Sequence, residues 1–211
     1  MYYNPIPDYS KEYLTFNALE NGTFTFTPQN NNVISYSIDG GETWTDGNSV
    51  QVNSGNKVMW KGTMTPSSNG IGKFGSTANF DIQGNVMSLL FGDNYEEQLD
   101  LTGKTNAFWE LFKGNTKVIN ARNLSLPATT LAQYCYRYMF QGCTNLTTAP
   151  KLPATILKSH CYESMFYGCK NLTTAPTLPA TTLASNCYGN MFNGCTSLTV
   201  VSRLPATTLA Q

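Results

Sequence analysis

The stretch SIDGGETW, residues 37–44, holds the first residues whose types and spacing suggest chemistry. Its carboxylate, hydroxyl and indole side chains lie close together in sequence, which raises the question whether the stretch has a catalytic role. A structural explanation accounts for the same residues. The glycines after Asp39 supply the positive φ of a tight turn, and the Asp39 carboxylate accepts hydrogen bonds from N–H groups of that turn. Trp44 then packs beneath the turn. We therefore predict structural roles for Asp39, Gly41 and Trp44.

The pattern Ser-x-Asp-x-Gly-x-Thr-Trp resembles the Asp-box, the repeated hairpin of sialidases and related propellers. The resemblance implies one box in each blade, away from the active site, and a cluster of arginines that grips the substrate carboxylate. This chain has a single box and three arginines, Arg122, Arg137 and Arg203, all in its second half. Since a motif and the chemistry of its family are separable, a glycoside hydrolase is only a third alternative, and no catalytic residue is predicted.

Other candidate chemistry is weaker. GIGKFG, residues 70–75, matches a dinucleotide-binding fingerprint, but the flanking sequence offers neither a buried strand before it nor a helix after it, so we predict a flexible loop. His160 is the only histidine, and we expect it to face solvent. Four carboxylates follow the first half of the chain: Asp93, Glu96, Glu97 and Asp100. They lack the spacing of a calcium loop, so a solvated linker is preferred over a calcium site or an acid pair, and no cofactor is expected.

The second half of the chain repeats itself with a period of 26 residues. The units are LPATTLAQYCYRYMFQGCTNLTTAPK (126–151), LPATILKSHCYESMFYGCKNLTTAPT (152–177) and LPATTLASNCYGNMFNGCTSLTVVSR (178–203), followed by an incomplete fourth copy. A degenerate copy precedes them at residues 107–127. A fixed period of this length with recurring leucine predicts a solenoid, in which each unit buries its apolar side by stacking on its neighbours.

The segments FQGCTNL (140–146), FYGCKNL (166–172) and FNGCTSL (192–198) resemble the repeats of BspA-like leucine-rich-repeat surface proteins. The resemblance covers about residues 101–211 and implies a leucine-rich-repeat solenoid displayed on a cell surface. Within a unit, the spacing of Leu131, Cys135 and Met139 predicts a short helix. Residues 146–149 are predicted to form the short strand that pairs in parallel with the next units.

Six cysteines occur as one pair in each unit, eight residues apart: Cys135, Cys143, Cys161, Cys169, Cys187 and Cys195. The spacing is not that of a zinc site. Buried free thiols and one disulfide in each unit both remain open. The family resemblance favours thiols, because its second cysteine usually occurs without a partner.

The first half alternates apolar and polar residues between turn residues, in the runs YLTF, GTFTFT, VISYSI, ETWT, SVQV, KVMWK, NFDI and NVMSLL. This pattern predicts an all-β, Ig-like sandwich of seven or eight strands. The predicted organisation is a tail at 1–11, a sandwich at 12–92, a linker at 93–104 and the solenoid at 105–211.

Comparison of the units suggests where a ligand would bind. The positions that change between copies are spaced as one face of the predicted helix, opposite the buried face. We call this surface the ridge: Tyr134, Arg137, Tyr138, Gln141, His160, Glu163, Tyr167, Asn186, Asn190 and Asn193. A solvent-exposed face whose residue types are unconstrained explains the differences between units as simply as a ligand site does. A second candidate is the strand side, where threonines recur: Thr147, Thr148, Thr173, Thr174, Thr177 and Thr199, with Lys151 and Arg203.

Charged residues make up only 12% of the chain and the formal net charge is zero, so neither nucleic acid nor an anionic membrane is indicated as a partner. No signal peptide or membrane span is present in the sequence as given. We expect a non-enzymatic attachment module, extracellular or on a cell or virion surface, that binds a surface glycan or a protein receptor. The alternative is a structural decoration or fibre protein of a phage particle. We also expect the apolar end near Leu204 and Leu209 to be covered by further repeats or by self-association.

Overall fold

The computed structural model describes residues 8–201 and 203–209, and this part of the chain is β-rich with a single short helix. The strands are β1 Leu14–Ala18, β2 Gly22–Pro28, β3 Ser35–Ser37, β4 Thr45–Asp46, β5 Ser49–Val52, β6 Lys57–Lys61, β7 Gly72–Ser76, β8 Phe80–Asn85 and β9 Val118–Ser125. The helix α1 is Ser88–Phe91, and short 3₁₀ turns occupy Tyr9–Lys11 and Gly92–Asn94.

The strands form two sheets around an aromatic core. The larger sheet has the order β4-β3-β6-β1-β8-β9, and the smaller has the order β5-β2-β7. Neighbours are antiparallel except β8 and β9, which are parallel. Phe16 of the larger sheet packs edge-on against Phe24 and Phe74 of the smaller sheet, with ring centroids 5.4 and 4.7 Å apart. The inward residues of alternating strands thus fill the space between the sheets.

Two predictions for the first half are wrong. NVMSLL is not a strand: the Asn85 side chain accepts a hydrogen bond from Met87 N at 2.9 Å, and the chain turns there into α1. GIGKFG is not a flexible loop, because most of it lies in β7, where Phe74 pairs with Phe26 of β2. A Cβ at position 72 would lie 2.4 Å from Phe26 Cζ, so glycine permits close packing there.

The chain around the predicted linker is packed rather than solvated. Tyr95 and Leu101 are buried, and Leu101 N donates to Thr130 O at 3.0 Å. The Tyr95 hydroxyl donates to Lys11 O at 2.8 Å, which ties residues 8–11 of the predicted tail to the body. The four carboxylates of the segment are exposed, which agrees with the solvated part of that prediction. Residues 1–7 of the predicted tail lie outside the described residues.

The predicted helix in each repeat unit is wrong. Residues 133–142 and their counterparts form successive four-residue turns, with positive φ at every fourth position: 59° at Tyr134, 58° at Tyr138 and 73° at Gly142. Arg137 N donates to Tyr134 O within the unit, whereas Tyr136 N donates to Cys161 O of the next unit. Half of the N–H groups therefore bond laterally, so the i to i−4 bonds of a helix cannot form.

The units stack in register, and their aromatic side chains continue the core between the sheets. The first column runs from Phe74 of β7 through Phe112, Phe140, Phe166 and Phe192, with successive ring centroids 5.5, 5.2, 5.7 and 5.9 Å apart. The second column comprises Phe108, Tyr136, Tyr162 and Tyr188. The sheets therefore cover one end of the stack, and a single apolar core extends through both halves.

On the strand side, regular pairing is limited. The strand β9 lies in the degenerate copy, where no strand was predicted, and pairs with β8. The predicted strand at 146–149 is reduced to isolated parallel bridges, Asn120 with Thr148 and Thr174 with Val200. Pro150 follows Thr148 closely and has no N–H to offer, which limits the pairing to a single bridge.

Candidate binding surfaces

The Asp-box forms the predicted hairpin, in which β3 pairs with β4. The Asp39 carboxylate accepts a hydrogen bond from the Ser37 hydroxyl at 2.7 Å and from Thr43 N at 3.0 Å, and it also bonds the Thr43 hydroxyl. The hydrogen bonds from Ser37 and then Thr43 lower the pKa of Asp39, so it stays an exposed carboxylate. All of these partners belong to its own turn, so Asp39 holds the hairpin together.

Trp44 packs beneath this turn, as predicted. Its Nε1 donates to Gly41 O at 3.1 Å. The indole lies against Tyr13, with ring centroids 4.8 Å apart, and the Lys61 ammonium lies 4.2 Å from the indole centroid. Lys61 also pairs with Asp93 at 2.7 Å. The Trp44 side chain thus holds the turn against Tyr13 and Lys61.

All six cysteines are buried free thiols, which is the first of the two interpretations. The second cysteine of each pair donates a hydrogen bond to the carbonyl of the phenylalanine in the preceding unit. Cys143 donates to Phe112 O at 3.0 Å and Cys169 donates to Phe140 O at 3.1 Å. Burial raises the pKa of both Cys143 and Cys161 to about 12. These thiols therefore stay protonated at neutral pH and act as core residues.

The ridge lies at the corners of the four-residue turns and is not a helix face. Several of its side chains contact one another. Arg137 pairs with Glu163 of the next unit at 2.8 Å, and His160 Nδ1 lies 2.7 Å from the same carboxylate. The Arg137 guanidinium lies 4.4 Å from the Tyr138 ring centroid, and the Tyr134 ring stacks on His160 at 4.9 Å. These side chains hold neighbouring units together.

The remaining ridge positions differ in exposure. Gln141 is half-buried, and Tyr167 is 40% exposed. In the last complete unit Asn186, Asn190 and Asn193 are exposed. The ridge therefore offers open polar side chains mainly at the end of the stack that is distant from the sheets.

The strand side contains a groove at the corner where each unit turns from its threonines into its prolines. This cavity has a volume of about 620 Å³. We call it the threonine–proline groove, and its lining includes Thr147, Thr148, Pro150, Lys151, Thr173, Thr174, Pro176 and Arg122. A second cavity of about 450 Å³ continues it toward the sheets and shares Arg122, Lys151 and Pro153 with it. Consecutive units thus contribute equivalent residues to one extended surface.

The formal net charge of zero conceals a division of charge between the two halves of the chain. Residues 1–104 contain eleven Asp and Glu and five Lys, a formal charge of −6, whereas residues 105–211 contain two Glu and eight Lys and Arg, a formal charge of +6. Both glutamates of the repeats are paired, Glu110 with Lys113 and Glu163 with Arg137. Separate charges for the two halves reveal this polarity.

Other predicted features can be located as follows. His160 is half-buried beside Glu163 rather than facing open solvent. Within residues 8–201 and 203–209, no three His, Cys, Asp or Glu side chains are grouped closely enough to hold a metal ion. The apolar side chains of Val200, Leu204 and Leu209 are exposed, whereas Leu198 is half-buried.

Comparison of the chain with protein-family models, curated proteins and solved structures found no match. Of the helices in the described part of the chain, none has the length and apolar character needed to cross a membrane.

Proposed function

We propose that the chain is a non-enzymatic attachment module that binds a glycan or a protein receptor through its repeats. The observation that carries this proposal is the threonine–proline groove, which two consecutive units line with equivalent residues. Its volume of about 620 Å³ is in the range of ligand-binding clefts. Repeat stacks commonly use such extended surfaces for binding, because each unit adds a similar contact.

The fold that accompanies this proposal is an Ig-like sandwich, residues 12–92, that caps a BspA-like leucine-rich-repeat solenoid, residues 105–211. Support comes from the two packed sheets, the 26-residue period and the in-register stacking of Phe112, Phe140 and Phe166. The resemblance to surface proteins favours an extracellular, cell-surface or virion-surface location.

The groove is preferred over the ridge as the binding surface. Arg137, Glu163 and His160 of the ridge already contact one another, so a ligand would have to displace these contacts. Arg122 and Lys151 of the groove form no ion pair with any described residue, and Lys151, Thr173 and Thr174 are exposed. A ligand in the groove can therefore reach both cations without breaking an ion pair.

A structural role in a virus particle is the second candidate, and exposed apolar side chains favour it. Val200 is 54% exposed, Val201 71% and Leu209 70%. Adjacent exposed apolar side chains commonly mark a contact with another protein surface. Light scattering over a wide concentration range tests this role: association that Val201→Asp abolishes supports it, and a monomer at every concentration contradicts it.

The binding proposal is tested on a panel of immobilised polysaccharides, mucins and matrix glycoproteins. Two variants of the full chain are compared with the wild type: Thr174→Trp, which fills the groove, and Tyr167→Ala, which trims the ridge. Loss of binding in Thr174→Trp alone is the expected result. Binding that only Tyr167→Ala weakens would assign the function to the ridge instead, and no binding to any member of the panel would overturn the proposal.

A further inference from the structure

The threonine–proline groove has a periodic lining. Thr147 and Thr148 of one unit are followed 26 residues later by Thr173 and Thr174, and Pro150 and Pro153 are followed by Pro176 and Pro179. Successive units stack with ring centroids 5.2 to 5.9 Å apart. A pyranose ring in an extended chain spans about the same distance as one unit, so successive sugars can meet equivalent side chains. A periodic polymer is therefore the ligand whose shape fits this groove.

The chemistry of the lining suits a sugar chain. Threonine hydroxyls both donate and accept hydrogen bonds, as sugar hydroxyls do. The proline rings offer flat apolar surfaces against which the C–H faces of a sugar ring can pack. Thr147 and Thr173 are exposed. Pro153 and Pro179 are exposed as well, whereas Pro150 is buried. An extended glycan can therefore meet threonine hydroxyls and exposed proline rings in the same groove.

The charge of the groove selects among sugar chains. Arg122 and Lys151 lie where the two cavities meet, and Asp8 is the one acidic side chain that lines either cavity. Arg203 occupies the position equivalent to Lys151 two units later and is also exposed. The intervening position is Thr177, so this position of the repeat carries a cation in every second unit. Cations at this spacing complement a polymer that carries no more than one carboxylate on each sugar, and not a densely sulfated one.

We infer that the threonine–proline groove binds a polysaccharide that carries uronate carboxylates, with Arg122 and Lys151 as the carboxylate-binding residues. This inference rests on the proposed function and names its ligand class. Arginine binds a carboxylate through two parallel N–H donors, and lysine adds a point charge. The threonine hydroxyls hold the neutral hydroxyls of the same chain.

The test measures binding of the full chain to polygalacturonate, hyaluronan and alginate, and to the methyl ester of each polymer. Esterification keeps the sugar backbone and removes the charge. We expect binding to at least one uronate polymer, at least tenfold weaker binding to its ester, and an affinity that falls as salt rises from low to physiological concentration. The double variant Arg122→Gln/Lys151→Gln should bind about tenfold more weakly, because it removes two exposed ion pairs with the polymer.

The matched control is Lys158→Gln/Lys170→Gln, which removes the same charge at two exposed positions outside the groove. Its affinity should stay within about twofold of the wild type. An equal loss in both double variants would assign the effect to net charge and overturn the inference. Tighter binding to dextran sulfate or to a single-stranded oligonucleotide than to every uronate polymer would overturn it as well.

The inference and the proposed function fail in different ways. Equal binding to a uronate polymer and its ester, or binding only to neutral glycans or proteins of the panel, overturns the inference and leaves the attachment function standing. Absence of binding to every glycan and every protein overturns both.

Discussion

Replacement of Phe140 by alanine tests whether the aromatic column stabilises the stacked units. Phe140 is fully buried and stacks between Phe112 and Phe166, at 5.2 and 5.7 Å. A buried phenylalanine removes about 200 Å² from water, which corresponds to about 5 kcal/mol at 25 cal/mol per Å². A compact unfolded state reduces this value to about 3 kcal/mol, and the cavity and two lost stacking contacts raise it again. We expect Phe140→Ala to lower the free energy of unfolding by about 4 kcal/mol.

The matched variant is Phe192→Ala. Phe192 is half-buried and stacks on Phe166 at 5.9 Å, the one stacking contact it makes among the described residues. Its replacement should cost about half as much, about 2 kcal/mol. Both variants are measured by urea unfolding followed by circular dichroism. Equal losses in the two variants, or a loss below about 1 kcal/mol for Phe140→Ala, would refute the view that stacking between neighbouring units holds the repeats together.

Three further predictions follow from burial and backbone geometry. The buried thiols should lower stability at alkaline pH, because burial raises the folded pKa of Cys143 and Cys161 from 9.0 to about 12. The unfolded state therefore releases these protons at a lower pH than the folded state does. The stability that is present below pH 9 is lost as the pH rises toward 12. Urea midpoints at pH 8 and pH 10.5 measure this, and identical midpoints would contradict it. Gly84→Ala should lower the free energy of unfolding by more than about 3 kcal/mol, because its Cβ would lie 1.9 Å from Tyr13 O at a φ of 80°. Gly103→Ala, at a φ of 76° in open space, should lower it by about 1 kcal/mol. Asp39→Asn should loosen the hairpin and shift Trp44 fluorescence at neutral pH. Because hydrogen bonds from Ser37 and Thr43 hold the folded pKa of Asp39 well below 3.8, the wild-type spectrum should stay unchanged as the pH falls through 3.8 and should shift only in stronger acid. An unchanged spectrum in Asp39→Asn, or a wild-type shift centred near pH 3.8, would argue against the hairpin role.

The sequence predicted the strands of the first half well, because alternation of apolar and polar residues is a direct consequence of a half-buried strand. It also predicted the Asp-box hairpin. Its errors have physical causes. The spacing of Leu131, Cys135 and Met139 fits an α-helix and also fits a series of four-residue turns, and only the lateral hydrogen bonds to the next unit separate the two. Those bonds join residues about 25 positions apart, which local patterns do not reveal.

The binding surfaces were predicted less well. The ridge was chosen because its residues differ between units, but Arg137 and Glu163, at equivalent positions of neighbouring units, form an ion pair with each other. The threonines of the groove were noted as a strand-side array. Its concave shape depends on how Pro150 and Pro153 turn the chain at the corner, and this requires the stacked structure. The charge division between the halves was available from the sequence alone.

Hydrogen exchange of the full chain with and without the uronate polymer that it binds most tightly tests the central claim most directly, because it locates the bound polymer on the repeats. The account predicts slower exchange in residues 147–153 and 173–179, which line the threonine–proline groove, and unchanged exchange in the turns at 133–142 and 159–168. Protection confined to those turns, or protection spread evenly over the chain, would contradict it.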